Sequence, residues 1–239
     1  MEGKRIPGAD EVNKASKALG TTFSSAGCSY VHNTVNKQLN LCIDRKTDNH
    51  KTLDKLYILY TNADCFSNKK SDMMFLLSSL NFKPSIIIIT EVNPKVSAHK
   101  QQESEFNITG YNMFCSNVGI DHFRGIIIYV DNNIACSELE FVTDFSECLF
   151  VQIRDNSKVV LNIGAVYRSP SSSTKNDSNL NNLINHVCSH FSGDFVLLGD
   201  FNYRNINWDT WTSAGSSCLD SPENKFIDCL QYNLLLQHV

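Results

Sequence analysis

The chain has 239 residues, 42% hydrophobic and 19% charged. That composition suits one substantial globular domain, with or without a tail, and excludes a fibrous or wholly disordered protein. The net charge of −4, divided as +3 over residues 1–55 and −7 over 56–239, speaks against a strong nonspecific nucleic-acid binder; the acidic body reads chiefly as a solvated surface, with a cation-dependent site as the alternative.

Residues 1–54 are polar, rich in Ser, Asn, Lys and Thr, with no sustained apolar period, and are read as a disordered leader. They carry no apolar core of a secretory signal. Within them Cys28, His32, Cys42 and His50 match no common zinc spacing. All nine cysteines are scattered without a CxxC pair, the pattern of reduced intracellular thiols, which implies a nuclear or cytoplasmic protein and makes the sequons at Asn107 and Asn176 chance matches.

The pattern changes at Lys55. Residues 56–60 form a short apolar run that predicts a strand buried on both faces. Helical spacing over 72–80 places Met73, Leu76, Leu77 and Leu80 on one side, with Ser71 as N-cap. A β-branched strand follows at 84–90, too short to cross a bilayer. Further strands are predicted at 111–115, 125–131, 148–154 and 158–167, the last two joined by a hairpin turn at Asp155-Asn156-Ser157. A polar loop over 169–177 leads into a helix over 178–191 with Leu180, Leu183, Ile184 and Val187 in register. A strand at 194–199 and a helix over 223–234 complete the reading. Strands alternating with helices, together with hairpins, predict an α/β fold: a sandwich of two mixed β-sheets flanked by helices, occupying 55–239.

Polar residues collect at the ends of the most apolar strands, where open α/β folds place their sites. Asn62 follows the first strand, and taken alone it reads as a turn cap. Glu91 follows four isoleucines, and a carboxylate there needs a partner or a cation, or else caps the next segment. Gly199-Asp200-Phe201-Asn202 is the sharpest signal, with a glycine that lets the chain turn and a carboxylate beside an amide.

In chain order, Leu-Tyr-Thr-Asn62, Ile-Ile-Ile-Thr-Glu91, Arg124-Gly125-Ile-Ile-Ile-Tyr129, Val-Tyr167-Arg168-Ser-Pro170 and Leu-Gly-Asp200-Phe-Asn202 resemble the endonuclease/exonuclease/phosphatase superfamily. Asn68-Lys69, Tyr-Arg-Ser-Pro at 167–170 and Asn207-Trp208 make the chain most similar to the endonuclease domain of LINE-type (non-LTR) retrotransposons. The resemblance covers about residues 55–239. It implies a Mg²⁺-dependent endonuclease (Mn²⁺ also suits oxygen ligands) that nicks DNA to give a 3′-hydroxyl for reverse transcription, with a reverse transcriptase downstream in a longer polypeptide. By the same resemblance Glu91 ligates the metal with Asn62 beside it, and Asp200 takes a proton from the attacking water. Asn202 orients that water or the phosphate, Tyr167 hydrogen-bonds a phosphate oxygen, and Arg168 neutralises a DNA phosphate.

The chain also departs from the family pattern. Asn62-Ala63 continues with Asp64 where the family has arginine, an anion in place of a cation. The family's closing Asp and Ser-Asp-His elements do not follow before Val239, so the last strands are expected to be missing. Asp121-His122 precedes the strand at 125–131, the wrong order to replace them, and His238 stands in the wrong context. Two other readings stay open: a superfamily phosphatase acting on phosphoinositide or lipid phosphates, and a catalytically dead fragment.

Overall fold

The computed structural model describes residues 21–24, 29–33, 39–44, 55–96, 101–155, 158–213 and 220–237. Its strands are β1 (Thr21–Ser24), β2 (Ser29–Asn33), β3 (Leu39–Asp44), β4 (Lys55–Asn62), β5 (Ile86–Thr90), β6 (Tyr111–Ser116) and β7 (Ile126–Asp131). They continue with β8 (Cys136–Glu138), β9 (Cys148–Asp155), β10 (Lys158–Tyr167), β11 (Asp194–Asp200), β12 (Ile206–Asn207), β13 (Thr212–Ser213) and β14 (Leu235–Gln237). Among the described residues the α-helices are α1 (Lys70–Ser79), α2 (Thr174–His190) and α3 (Pro222–Tyr232). One sheet runs β1-β3-β4-β5-β7-β6 and a second runs β14-β2-β11-β10-β9-β8, each mixing parallel and antiparallel pairs. The α/β sandwich expected from the sequence is the observed architecture.

The two-residue period of a strand sorts the apolar residues into three cores. Ile58, Tyr60, Ile86, Ile88, Ile126 and Ile128 face inward and meet Val151, Ile163, Ala165, Val196 and Leu198 of the other sheet. Their neighbours Leu59, Ile87, Ile89 and Ile127 face outward, under Met73 of α1 and the buried Phe66 and Phe106. On the far side Val166, Phe195 and Leu197 are covered by Leu180, Leu183 and Ile184 of α2 and by Phe226 and Leu230 of α3. Covered on both faces, β5 takes apolar residues at its first four positions, which accounts for its four consecutive isoleucines.

Several local expectations shift. Helix α1 begins at Lys70, so Ser71 lies inside its first turn, and the N-cap Lys69 makes no side-chain cap bond. Helix α2 begins at Thr174 inside the expected loop, because Ser173 accepts from the Asn176 amide at 3.2 Å and so satisfies one free N–H of the first turn. Helix α3 starts in the same way, with Ser221 accepting from the Asn224 amide and Pro222 at the first helical position. Strands β9 and β10 pair antiparallel up to Asp155 and Lys158; the turn residues between them lie outside the described residues.

The largest difference lies before Lys55. Among the described residues of the stretch read as a disordered leader, three strands form: β1 and β3 extend the first sheet, and β2 inserts between β11 and β14 in the second. They are four to six residues long, and a strand that short is stabilised by pairing with sheets already built rather than by its own composition. Of the four zinc candidates, His32 lies in β2 and Cys42 in β3, in different sheets, while Cys28 and His50 lie outside the described residues. Among the described residues, no helix is long and apolar enough to cross a membrane.

Parallel strands β10 and β11 approach closely at Gly199, where a Cβ would stand 2.1 Å from the Val166 carbonyl oxygen. Gly199→Ala must therefore separate the strands one residue before Tyr167 and Asp200. We expect a loss of about 1–3 kcal/mol, read as a fall of roughly 2–12 °C in thermal melting. An unchanged melting temperature would show that the strands part freely here.

Candidate active site

Three strands end their inward-facing stripe in a polar residue. Along β4 the inner positions Leu56, Ile58 and Tyr60 are followed by Asn62; along β10, Leu161, Ile163 and Ala165 are followed by Tyr167; along β11, Val196 and Leu198 are followed by Asp200. Because β4 and β5 are parallel, as are β10 and β11, these residues gather with Glu91 at one end of the sandwich. The Asn62 side-chain amide joins the two sheets there: its Nδ2 donates to Glu91 Oε1 at 2.6 Å and to Asp200 Oδ2 at 3.1 Å. Its Oδ1 accepts from the Asp64 backbone at 3.2 Å, which turns the NH₂ group toward the carboxylates.

Glu91 and Asn202 both adopt left-handed backbone conformations, with φ of 55° and 52°. Such conformations in non-glycine residues persist where surrounding structure enforces them. Around Glu91 that structure is a set of backbone bonds continuing past the strands: Ala63 N–H to Thr90 O, Cys65 N–H to Glu91 O and Phe66 N–H to Val92 O, each 2.9 Å. At Asn202 the backbone N–H donates to Asp200 Oδ1 at 3.2 Å, and Nδ2 donates to the Arg168 carbonyl at 2.7 Å.

Asp200 is 4% exposed and Glu91 8%. Burial pushes the Asp200 carboxyl up to about 6, and the nearby Glu91 charge adds to the rise, against hydrogen bonds from Asn202 and Asn62. The Tyr167 phenol is pushed well above its ordinary value, chiefly by burial and then by Glu91. It is therefore a hydrogen-bond donor at neutral pH, beside a carboxyl poised near neutrality.

No protein-family model matches this chain, and no curated protein matches it. Among solved structures it is similar to the endonuclease domain of TRAS1, a telomere-specific non-LTR retrotransposon, at 14% identity and a TM-score of 0.49, over 74% of this chain and 69% of that one. At that distance no residue role transfers.

The five central residues expected from the sequence, Asn62, Glu91, Tyr167, Asp200 and Asn202, are thus brought to one end of the fold. Arg168 has a different place. Instead of an exposed guanidinium aimed at a nucleic-acid phosphate, it is a buried one: Nε donates to Asp177 Oδ1 at 2.7 Å and Nη2 to Oδ2 at 3.1 Å. Nη1 reaches the carbonyls of Phe201 and Asn202 at 3.3 and 3.2 Å, and the group lies 3.9 Å from the Tyr203 ring centroid. A planar fork suits this two-point carboxylate pair, and it clamps the turn that carries Asn202.

Two charged residues were given no role by sequence reading. Arg124, just before β7, places its guanidinium on Glu91 Oε2 and, at 2.8 Å, on Asp64 Oδ1. That contact holds the Asp64 carboxyl below its ordinary value. Glu147 accepts from the Arg124 backbone N–H at 2.7 Å, and burial raises its own carboxyl. The available signal for Glu147 was a carboxylate immediately before the apolar run of β9. For Arg124 it was a cation two residues before the apolar run of β7. Asp121 and His122 line a separate cavity with Asn93 and Lys95.

Proposed function

We propose that this chain is a divalent-cation-dependent phosphodiesterase that nicks DNA. The observation that carries the reading is the single Asn62 amide joining two nearly buried carboxylates from different sheets, Glu91 and Asp200. Among the described residues no three His, Cys, Asp or Glu side chains group as a ligand set. The donors nevertheless fit Mg²⁺ or Mn²⁺, which need only one or two carboxylates and keep several waters.

Glu91 would hold the cation, with Asn62 in the hydrogen-bond shell rather than as a ligand, since its NH₂ faces the carboxylates. The bound ion would supply charge neutralisation at the phosphate. Asp200 accepts the proton of the attacking water as the water oxygen bonds to phosphorus. The bond from phosphorus to the 3′ oxygen breaks and that oxygen takes a proton from solvent water, leaving a 5′-phosphate and a 3′-hydroxyl of the kind a reverse transcriptase extends. Asn202, fixed by its bonds to Asp200 and Arg168, orients the water or the phosphate. Tyr167, kept protonated, donates to a phosphate oxygen as charge develops there.

The test is conversion of supercoiled plasmid to open circles by the purified chain in Mg²⁺. The expected result is nicking that stops on chelation and is lost in Glu91→Gln. Nicking that survives either change overturns the reading. Release of phosphate from phosphoinositides without nicking would replace it with the phosphatase.

A further inference from the structure

We infer that Arg124 is a resident counter-cation of the carboxylate site, which a divalent ion must displace from Glu91, and that Asp64 is the anchor that receives it. The inference deepens the metal reading above and rests on it.

The guanidinium is delivered to Glu91 by the backbone. The Arg124 carbonyl accepts from Asn93 N–H at 2.7 Å, the Gly125 carbonyl accepts from Val92 N–H at 3.2 Å, and the Arg124 N–H is taken by Glu147. Gly125 has φ of 70°, and a Cβ there would stand 3.2 Å from the Asn93 side chain. The segment therefore has little freedom to slide, and any movement of the charge must come from the side chain alone. That side chain is 12% exposed, and one terminal nitrogen, Nη2, touches both Glu91 Oε2 and Asp64 Oδ1. Its Nε is buried and has no hydrogen-bond partner among the described residues, so the guanidinium is not locked there in a fully bonded arrangement.

A monovalent guanidinium and a divalent ion cannot both occupy the same carboxylate oxygen without repulsion. Asp64 is the more exposed of the two acids, and Lys95 also reaches it at 3.4 Å. It offers the guanidinium a place to remain, bonded and half-solvated, once Glu91 is taken by the metal. An arginine at Asp64's position would instead repel Arg124 toward Glu91. The aspartate is thus the complement of Arg124, and the two residues form one device.

The measurement is Mn²⁺ affinity of the whole chain by electron paramagnetic resonance, with folding checked by circular dichroism. Arg124→Gln should bind Mn²⁺ about 10–100-fold more tightly than the parent, because an opposing charge on the ligand oxygen is gone. Arg124→Lys keeps the charge and should stay within about threefold of the parent. Asp64→Asn should weaken binding about 10-fold, and much less in the Arg124→Gln background, since the anchor then has nothing to receive. Glu91→Gln should abolish binding. Unchanged affinity in Arg124→Gln, with binding still lost in Glu91→Gln, overturns the inference and leaves the metal reading standing. Equal tightening by Arg124→Gln and Arg124→Lys, or the same Asp64 effect in both backgrounds, also overturns it. Binding that is absent in every variant, or untouched by Glu91→Gln, overturns both.

Discussion

If the chain nicks DNA as proposed, Asp200→Asn is expected to lower that rate about 10²–10⁴-fold and at the same time to make the metal-free protein more stable at neutral pH. The first effect follows from removing the group proposed to take the water's proton while keeping the shape of the site. The second follows from linkage. The Asp200 carboxyl is raised from 3.8 to about 6 in the folded protein, chiefly by burial. Between those values the folded chain holds a proton that the unfolded chain has released. Stability therefore falls as pH rises through that window, and the decrease is complete above about 6. Asparagine carries no charge, so the variant lacks this fall and melts higher than the parent at pH 7–8. Thermal melts in chelator across pH 4–8, paired with plasmid nicking, check both halves. A variant that melts lower than the parent at neutral pH would mean the buried carboxylate is stabilised by contacts that outweigh its desolvation.

Arg168→Ala carries the largest expected stability effect. It leaves Asp177, 4% exposed, without its two-point partner, and removes the guanidinium from the Tyr203 ring and the turn carbonyls. Breaking a buried pair by deleting one partner costs about 3–5 kcal/mol, here a fall of roughly 6–20 °C in melting temperature. Removing the second charge as well, in Arg168→Ala with Asp177→Asn, should recover part of that fall, because the uncompensated carboxylate is gone. If Arg168→Ala instead leaves the melting temperature unchanged and weakens DNA binding, with a shallower dependence on salt, the residue contacts phosphate as its place in the motif implies.

The strands that build the core were legible because burial on both faces demands apolar, β-branched residues at consecutive positions, and 86–89 and 126–130 supply them. The site was legible for a related reason. A polar side chain at the end of such a strand sits against an apolar core, where it is costly unless a partner or a ligand satisfies it, and Asn62, Glu91 and Asp200 each stand there. The strands before Lys55 were not legible as a group, although Leu39, Leu41 and Ile43 alternate with Asn40, Cys42 and Asp44. Six residues of alternation inside a polar stretch fall below what composition alone can separate from chance.

The sequence by itself determined the α/β class, the central strands and the identity of the polar residues at their ends, because strand periodicity and burial act over a few neighbouring residues. Only the tertiary structure decided which charges meet. Arg168 and Arg124 each precede or follow an apolar strand, and nothing local distinguishes them. One is buried on Asp177 nine residues away, while the other crosses to Glu91 and Asp64, which lie 33 and 60 residues earlier in the chain. Charge pairing is a property of distance and dielectric in the folded chain, and both are set by how the two sheets and their connecting loops pack.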